Sequence, residues 1–137
     1  MADEAWTLLN RIKTVAKAKK NLFREVRIEA GSAEDVSASK HPALVIRFTG
    51  IDETAYEGID QYVHISLNLL VIDKDEETRV QQMIEISNDL KNALEGDATV
   101  KSYISEYPGL EPQDAEAPLE HWKMDCVGYI DTTRTGR

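Results

Sequence analysis

Three histidines and a single cysteine are the residues of this chain best suited to nucleophilic, acid–base or metal chemistry. Their spacing does not gather that chemistry in one place. His41, His64 and His121 are far apart, and none has a second His or Cys at zinc-ligand spacing. His64 falls on the polar face of a strand pattern, where a surface or hydrogen-bonded histidine is expected. Cys126 alternates onto the same face as Trp122 and Met124, which reads as a buried, inert thiol and not a nucleophile. The run Asp73-Lys-Asp75-Glu-Glu77 opens like a calcium loop. The loop's glycine position is Thr78, however, and its final glutamate position is Ile84. These carboxylates are better placed to satisfy the free N–H groups of a helix start. There is no G-x-S-x-G, no P-loop and no G-x-G-x-x-G. With 25 acidic residues, any two could be named an acid–base pair, so such a pair carries no information. The expectation is a non-enzyme, with no catalytic residue, metal site or cofactor.

Charge is distributed less evenly than chemistry. Residues 11–27 hold seven basic side chains against one acidic, a local +6 in a chain of net charge −9, which leaves −15 on the remainder. Lys13, Lys17, Lys20 and Arg24 form one stripe if a helix runs that far. The stripe reads either as a solvated helix face or as a basic surface that meets an acidic surface of a neighbour, including another copy of the chain. Opposed patches on one chain suit head-to-tail contacts, which close into rings when the rotation permits. Nucleic-acid binding by the stripe is the weaker reading, because no aromatic groups are interleaved with it. The second candidate surface is the acidic stretch Thr49–Asp60. It holds Asp52, Glu53 and Glu57 together with three apolar groups, Ile51, Tyr56 and Ile59. A loop of this length between neighbouring strands usually projects and often binds something.

The elements that position these groups follow from periodicity. Ala5, Leu8, Leu9, Ile12, Val15 and Ala16 share one arc of a helix over residues 5–20. Lys19 would enter that arc, so the helix is expected to end near 19–21. Residues 23–30 alternate as a half-buried strand, and 31–40 are a polar loop. The strand Ala43–Phe48 and the longer strand Gln61–Ile72 form a hairpin. In the latter, Val63, Ile65, Leu67, Leu69 and Val71 share a face. Tyr62, His64, Ser66 and Asn68 take the other face, which turns apolar at Leu70 and Ile72. A second helix spans 76–95, with Val80, Met83, Ile84, Ser87, Leu90 and Leu94 as its buried stripe and Gly96 just past its end. A short helix is expected within 99–107. The three prolines of 108–120 exclude regular structure there. A last strand runs over 121–131, with Gly128 read as a bulge, and a polar tail follows over 132–137. The order α-β-β-β-α-(α)-β predicts one α+β domain over 1–137. It is a two-layer sandwich, with a mostly antiparallel sheet and both main helices on one face.

Composition bounds the partners. At 137 residues and 42% hydrophobic, the chain can form one cored domain. Its net negative charge opposes nucleic-acid binding as a main role. One cysteine excludes an intrachain disulfide and fits a reducing compartment such as the cytoplasm. The N-terminus lacks the pattern of a signal peptide, and the longest apolar run, Leu69–Ile72, is far too short to span a membrane.

The N-terminal helix, the strand after it, the long hairpin Ala43–Ile72 with its acidic connection, the helix entered directly from it (Asp73–Gly96) and the late strand His121–Asp131 together resemble the tail terminator and tail completion proteins of tailed bacteriophages. The likeness is one of element order, size and acidity, and it covers most of the chain. It implies a structural virion protein of the tail and neck, assembled in the host cytoplasm. Such proteins form a homo-oligomeric ring, usually hexameric, which caps the tail tube, ends its polymerisation and meets the head-side connector. The partners implied are the tail-tube protein and the head–tail connector protein. DNA would pass through an acidic lumen without specific binding. The hairpin residues Ile51, Asp52, Glu53, Tyr56, Glu57 and Ile59 would contact a neighbouring subunit, the tube or the connector. The alternative from the residues alone is a monomeric regulatory domain that binds a small ligand or peptide on the sheet face around Tyr62, His64, Ser66 and Asn68.

Overall fold

The hairpin extends further than its hydrophobic pattern, and the sheet is built outward from it. The computed structural model describes residues 4–19, 22–29, 41–53, 60–104 and 107–131. The elements are α1 (Glu4–Ala18), β1 (Glu25–Ile28), β2 (Ala43–Glu53), β3 (Asp60–Ile72), α2 (Glu76–Glu95), α3 (Ala98–Tyr103), β4 (Glu111–Gln113) and β5 (Leu119–Asp131). The strands lie in the order β1-β2-β3-β5-β4. All pairs are antiparallel except β1–β2, which is parallel, so the sheet is mixed. With the helices packed on the sheet, the architecture is the expected α+β one.

The core forms where the period-two face of β3 meets the helices. Val63, Ile65, Leu67, Leu69 and Val71 are buried in one cluster with Leu8 and Ile12 of α1 and with Met83, Leu90 and Leu94 of α2. α2 starts on Asp75, whose carboxylate accepts from the Thr78 backbone N–H (3.0 Å) and the Thr78 hydroxyl (2.7 Å). Asp73 Oδ1 accepts from the Asp75 N–H (2.9 Å), so the Asp-Lys-Asp run is a helix start. Thr78 holds the Asp75 pKa below the usual carboxylate value, the side-chain hydrogen bond contributing most. The buried stripe of α2 is rotated from the expected one. Arg79 and Ile86 are buried and Ile84 is 45% exposed. Arg79 can be buried because its guanidinium donates to the Asp73 carbonyl (2.9 Å) and lies beside Glu120 (Nε–Oε1 3.5 Å).

Four further expectations are corrected. The acidic stretch 49–60 is not all connection: Thr49–Glu53 continue β2, and Asp60 already belongs to β3. Residues 108–120 do contain regular structure. β4 lies within them and β5 begins at Leu119, with Pro112 tolerated because β4 is an edge strand. Gly128 is no bulge, since it sits in continuous register opposite Val63. A Cβ there would come within 2.6 Å of Leu8 Cδ2, so glycine is what lets α1 approach β5. The bulge is in β2, where the register shifts between Phe48 and Gly50 and Gly50 adopts φ +152°, a backbone geometry that favours glycine.

Gly128→Val is expected to lower stability by about 1–3 kcal/mol, the usual effect of overpacking a filled core. Leu8→Ala in the same chain should recover part of that loss. Urea unfolding of the two single variants and the double variant measures this, and simple additivity would refute the contact.

Candidate functional site

The bulge at Gly50 decides which side chains the far end of the hairpin presents. Up to Phe48, the even-numbered residues of β2 face the helices, opposite Leu69, Leu67 and Ile65. Beyond the bulge the parity inverts: Ile51 pairs with Val63 on the helix side, and Asp52 pairs with Tyr62 on the other. Asp52 thereby reaches His64, whose Nε2 lies 2.8 Å from Asp52 Oδ2. Phe48 and Ile51 come to share one face although they are three residues apart. On the opposite face Tyr62 stacks against Tyr129 across the β3–β5 pair, with ring centroids 5.5 Å apart and Val127 nearby. Phe48, Ile51, Tyr62, Val127 and Tyr129 are each between 39% and 45% exposed. The distal ends of β2, β3 and β5 therefore carry large apolar groups part-exposed on both faces.

The flanking strands are short. β1 pairs with β2 only over Ala43–Ile46, and β4 pairs with β5 only over His121–Lys123. Among the described residues no strand flanks β2 beyond Ile46 or β5 beyond Lys123 on the side away from β3. Among the described residues the sheet is five strands wide at its proximal end and three at its distal end.

The proximal outer face is closed by contrast. Ala43, Val45 and Leu70 are buried in a small cluster against which Leu119 packs. Ser66 and Asn68, expected on an open polar face, are also buried. Asn68 Nδ2 donates to Ser66 Oγ (3.0 Å) and the Val45 carbonyl (3.4 Å), and its Oδ1 accepts from His121 Nε2 (2.8 Å). Hydrogen bonds within the chain already engage these two side chains.

Of the hairpin residues singled out from the sequence, Ile51 and Asp52 are exposed on β2 and Glu53 ends that strand. Tyr56, Glu57 and Ile59 lie outside the described residues. The four-residue basic stripe is not one helix face. α1 ends at Ala18, and Arg24 lies beyond it, its backbone N–H donating to the Pro42 carbonyl (2.7 Å). Lys20 lies outside the described residues. Lys13 and Lys17 remain on α1, on the flank that also carries Trp6, which is 55% exposed. The other flank of α1 is engaged with α3: Glu4 accepts from the Tyr103 hydroxyl (2.7 Å), and Arg11 grips Asp97 with Nη2–Oδ1 at 2.6 Å. Arg11, one of the seven basic residues of the cluster, thus has its charge matched within the chain. Sequence reasoning passed over Trp6, Phe48, Val127 and Tyr129. The available signal for Trp6 was its position beside the apolar arc; for Val127 and Tyr129 it was alternation with Cys126, which puts them on the face opposite the core; for Phe48, in phase with buried Leu44 and Ile46, the pattern pointed inward.

Beside the turn from α1 to β1 lies a cleft of about 500 Å³, with Phe23 and Arg24 on one wall and Glu85 and Asp89 of α2 on the other. Cys126 is buried, and burial pushes its thiol pKa up to about 12. It is therefore poorly suited to nucleophilic work. Among the described residues no three His, Cys, Asp or Glu side chains are grouped to hold a metal ion, and no helix is long and apolar enough to cross a membrane. No protein-family model matches the chain, and no curated protein matches it.

Asp97 caps α3, accepting from the Val100 N–H (3.0 Å), while Arg11 holds its pKa below the ordinary carboxyl value of 3.8. A depressed folded-state pKa contributes stability that is present above the ordinary value and lost as pH falls through the folded one. Asp97→Asn should keep much of the cap but lose the ion pair, and so be less stable than the parent at neutral pH. The gap in urea midpoint between the two should narrow below about pH 4. A gap independent of pH would show that the ion pair contributes nothing.

Proposed function

We propose that the chain is a structural virion protein whose copies form a ring, hexameric by the resemblance, that terminates a phage tail tube and joins it to the head-side connector. The observation that carries this reading is the distal ribbon. Five large apolar side chains are part-exposed there on both faces of three strands, beside two sheet edges that no strand flanks among the described residues. A monomer has no use for such a surface, whereas a subunit completed by neighbours does. The order of elements, a helix and strand followed by a long hairpin that leads directly into a second helix, supports it too. So does the charge of −9 per copy, which in a ring would line a passage that repels DNA phosphates. Residues 51–53 would meet a neighbouring subunit, the tube or the connector.

The reading as a monomeric ligand-binding domain is less well supported. Of its four proposed contact residues, Ser66 and Asn68 are buried and hydrogen-bonded within the chain, and His64 is engaged by Asp52.

Native mass spectrometry and light scattering test the proposal on the full chain, alone and mixed with a phage tail-tube protein. A defined oligomer is expected in at least one of the two conditions. Phe48→Asp with Ile51→Asp should shift it toward monomer while the far-ultraviolet circular dichroism stays unchanged, since both side chains are already part-exposed. A strict monomer in both conditions would count decisively against a ring.

A further inference from the structure

We infer that copies of this chain join head to tail through their helices, the outer flank of α1 in one copy docking on the outer flank of α2 in the next, with Trp6 as the anchor. This deepens the ring reading and rests on it.

The first reason is the geometry of the helix layer. Along α1, Glu4 bonds Tyr103 and Arg11 bonds Asp97. Just past the end of α1, Phe23 and Arg24 face Gln82, Glu85 and Asp89 of α2 across the cleft. α1 and α2 therefore run antiparallel, each with one flank turned toward the other. At 3.6 residues per turn, the flank of α1 away from these contacts carries Trp6, Asn10, Lys13 and Lys17. The flank of α2 away from the cleft carries Val80 and Ile84. The two outer flanks lie at opposite sides of the layer. One repeated contact between them uses both in every subunit, as a closed ring requires.

The second reason is the fit of an aromatic anchor. Trp6 is 55% exposed, the highest value among the exposed large apolar groups, and Ile84 is 45% exposed. Val80 and Ile84, one turn apart, line a shallow hollow of about 680 Å³ with Glu76, Glu77, Gln81 and Glu85 around them. An indole suits such a hollow. Its ring meets the two aliphatic groups, and its N–H, which needs an acceptor once buried, finds carboxylates at the rim. Aromatic residues seated in this way are the usual anchors of protein interfaces.

The third reason is charge, which points to a second copy as the occupant and sets its direction. The outer flank of α1 carries half-buried Lys13 and exposed Lys17 and no carboxylate. The hollow on α2 is lined by three glutamates and no cation. Contacts between like flanks would oppose lysine to lysine or glutamate to glutamate, and only the α1–α2 contact is complementary. Lys91 lies about two turns beyond Ile84 on the same flank, whereas Glu76 and Glu77 lie toward the helix start. With Trp6 in the hollow, an antiparallel α1 brings Lys13 beside Glu76 and Glu77. Lys17 then comes to the start of α2, where Asp73 and Asp75 outweigh Lys74. A parallel α1 would carry Lys13 to Lys91 instead. Antiparallel is also the relation of α1 and α2 within one copy, so rotation about an axis along the helices reproduces it from copy to copy.

Sedimentation velocity on the full chain, in the condition in which it assembles, tests the contact with Trp6→Ala and Ile84→Lys. Both side chains are exposed, so the variants should fold, and circular dichroism checks this. Each should raise the concentration needed for assembly by about tenfold or more, the effect of losing an interface anchor. Lys13→Glu and Glu77→Lys should each weaken assembly as well, and the variant carrying both should recover at least part of the loss. Assembly lost in Trp6→Ala but kept in Ile84→Lys, or the reverse, would show pairing of like flanks and overturn the inference. So would a charge-swapped double variant as impaired as its two single changes combined. Oligomers unchanged by every substitution would overturn the helix contact and leave the ring standing. A parent chain that is monomeric both alone and with a tail-tube protein would remove both.

Discussion

The pairing of β3 with β5 is the constraint on which the rest of the molecule depends. The two strands match residue for residue from Asp60 opposite Asp131 to Ile72 opposite Leu119. One face of this pair supplies Ile65, Leu67, Leu69, Met124 and Cys126 to the core beneath the helices. Alternation has period two, so a slip of one residue in either strand would turn those side chains to the wrong face. Two tight features hold the register. Gly128 admits the Leu8 side chain, which a Cβ there would force to shift, and buried Asn68 is bonded to Ser66, Val45 and His121 across three strands.

That pairing is longer than the structure that covers it. The helices and the short strands β1 and β4 serve the proximal part, where the sheet is buried on both faces. Distally, the same strands continue with no flanking strand among the described residues and with aromatic and aliphatic groups part-exposed. The division follows from chain length: strands of 11 and 13 residues project beyond edge strands of four and three. The buried core thus lies at one end of the sheet and the part-exposed apolar groups at the other. Substitutions at the distal end should have little effect on the core.

The electrostatics show the same separation. Carboxylates at helix starts, Asp75 and Asp97, are engaged locally and hold their elements in place. Arg11 and Arg79 have partners within the chain, at Asp97 and at Asp73 and Glu120. Other charges on the helix flanks, among them Lys17 on α1 and Glu76 and Glu77 on α2, are exposed to solvent. At physiological salt such exposed charges act over roughly 8 Å.

The sequence by itself determined the α+β class, the limits of α2, the hairpin and the inward face of β3, because each is written in a local period of 3.6 or two that burial then obeys. It also determined that Asp73 and Asp75 begin a helix, since capping is a matter of neighbouring residues. Only the tertiary structure decided the parallel placement of β1, the strand in the proline-bearing segment, and the exposure of Ile84 in place of Arg79. Each depends on a partner distant in the chain: Ile46 for β1, Trp122 for Pro112, Glu120 for Arg79. The candidate surface was half legible. Ile51 and Asp52 could be named from their acidic, projecting stretch. The faces they occupy were set by one inserted residue at the Gly50 bulge, which no local pattern encodes.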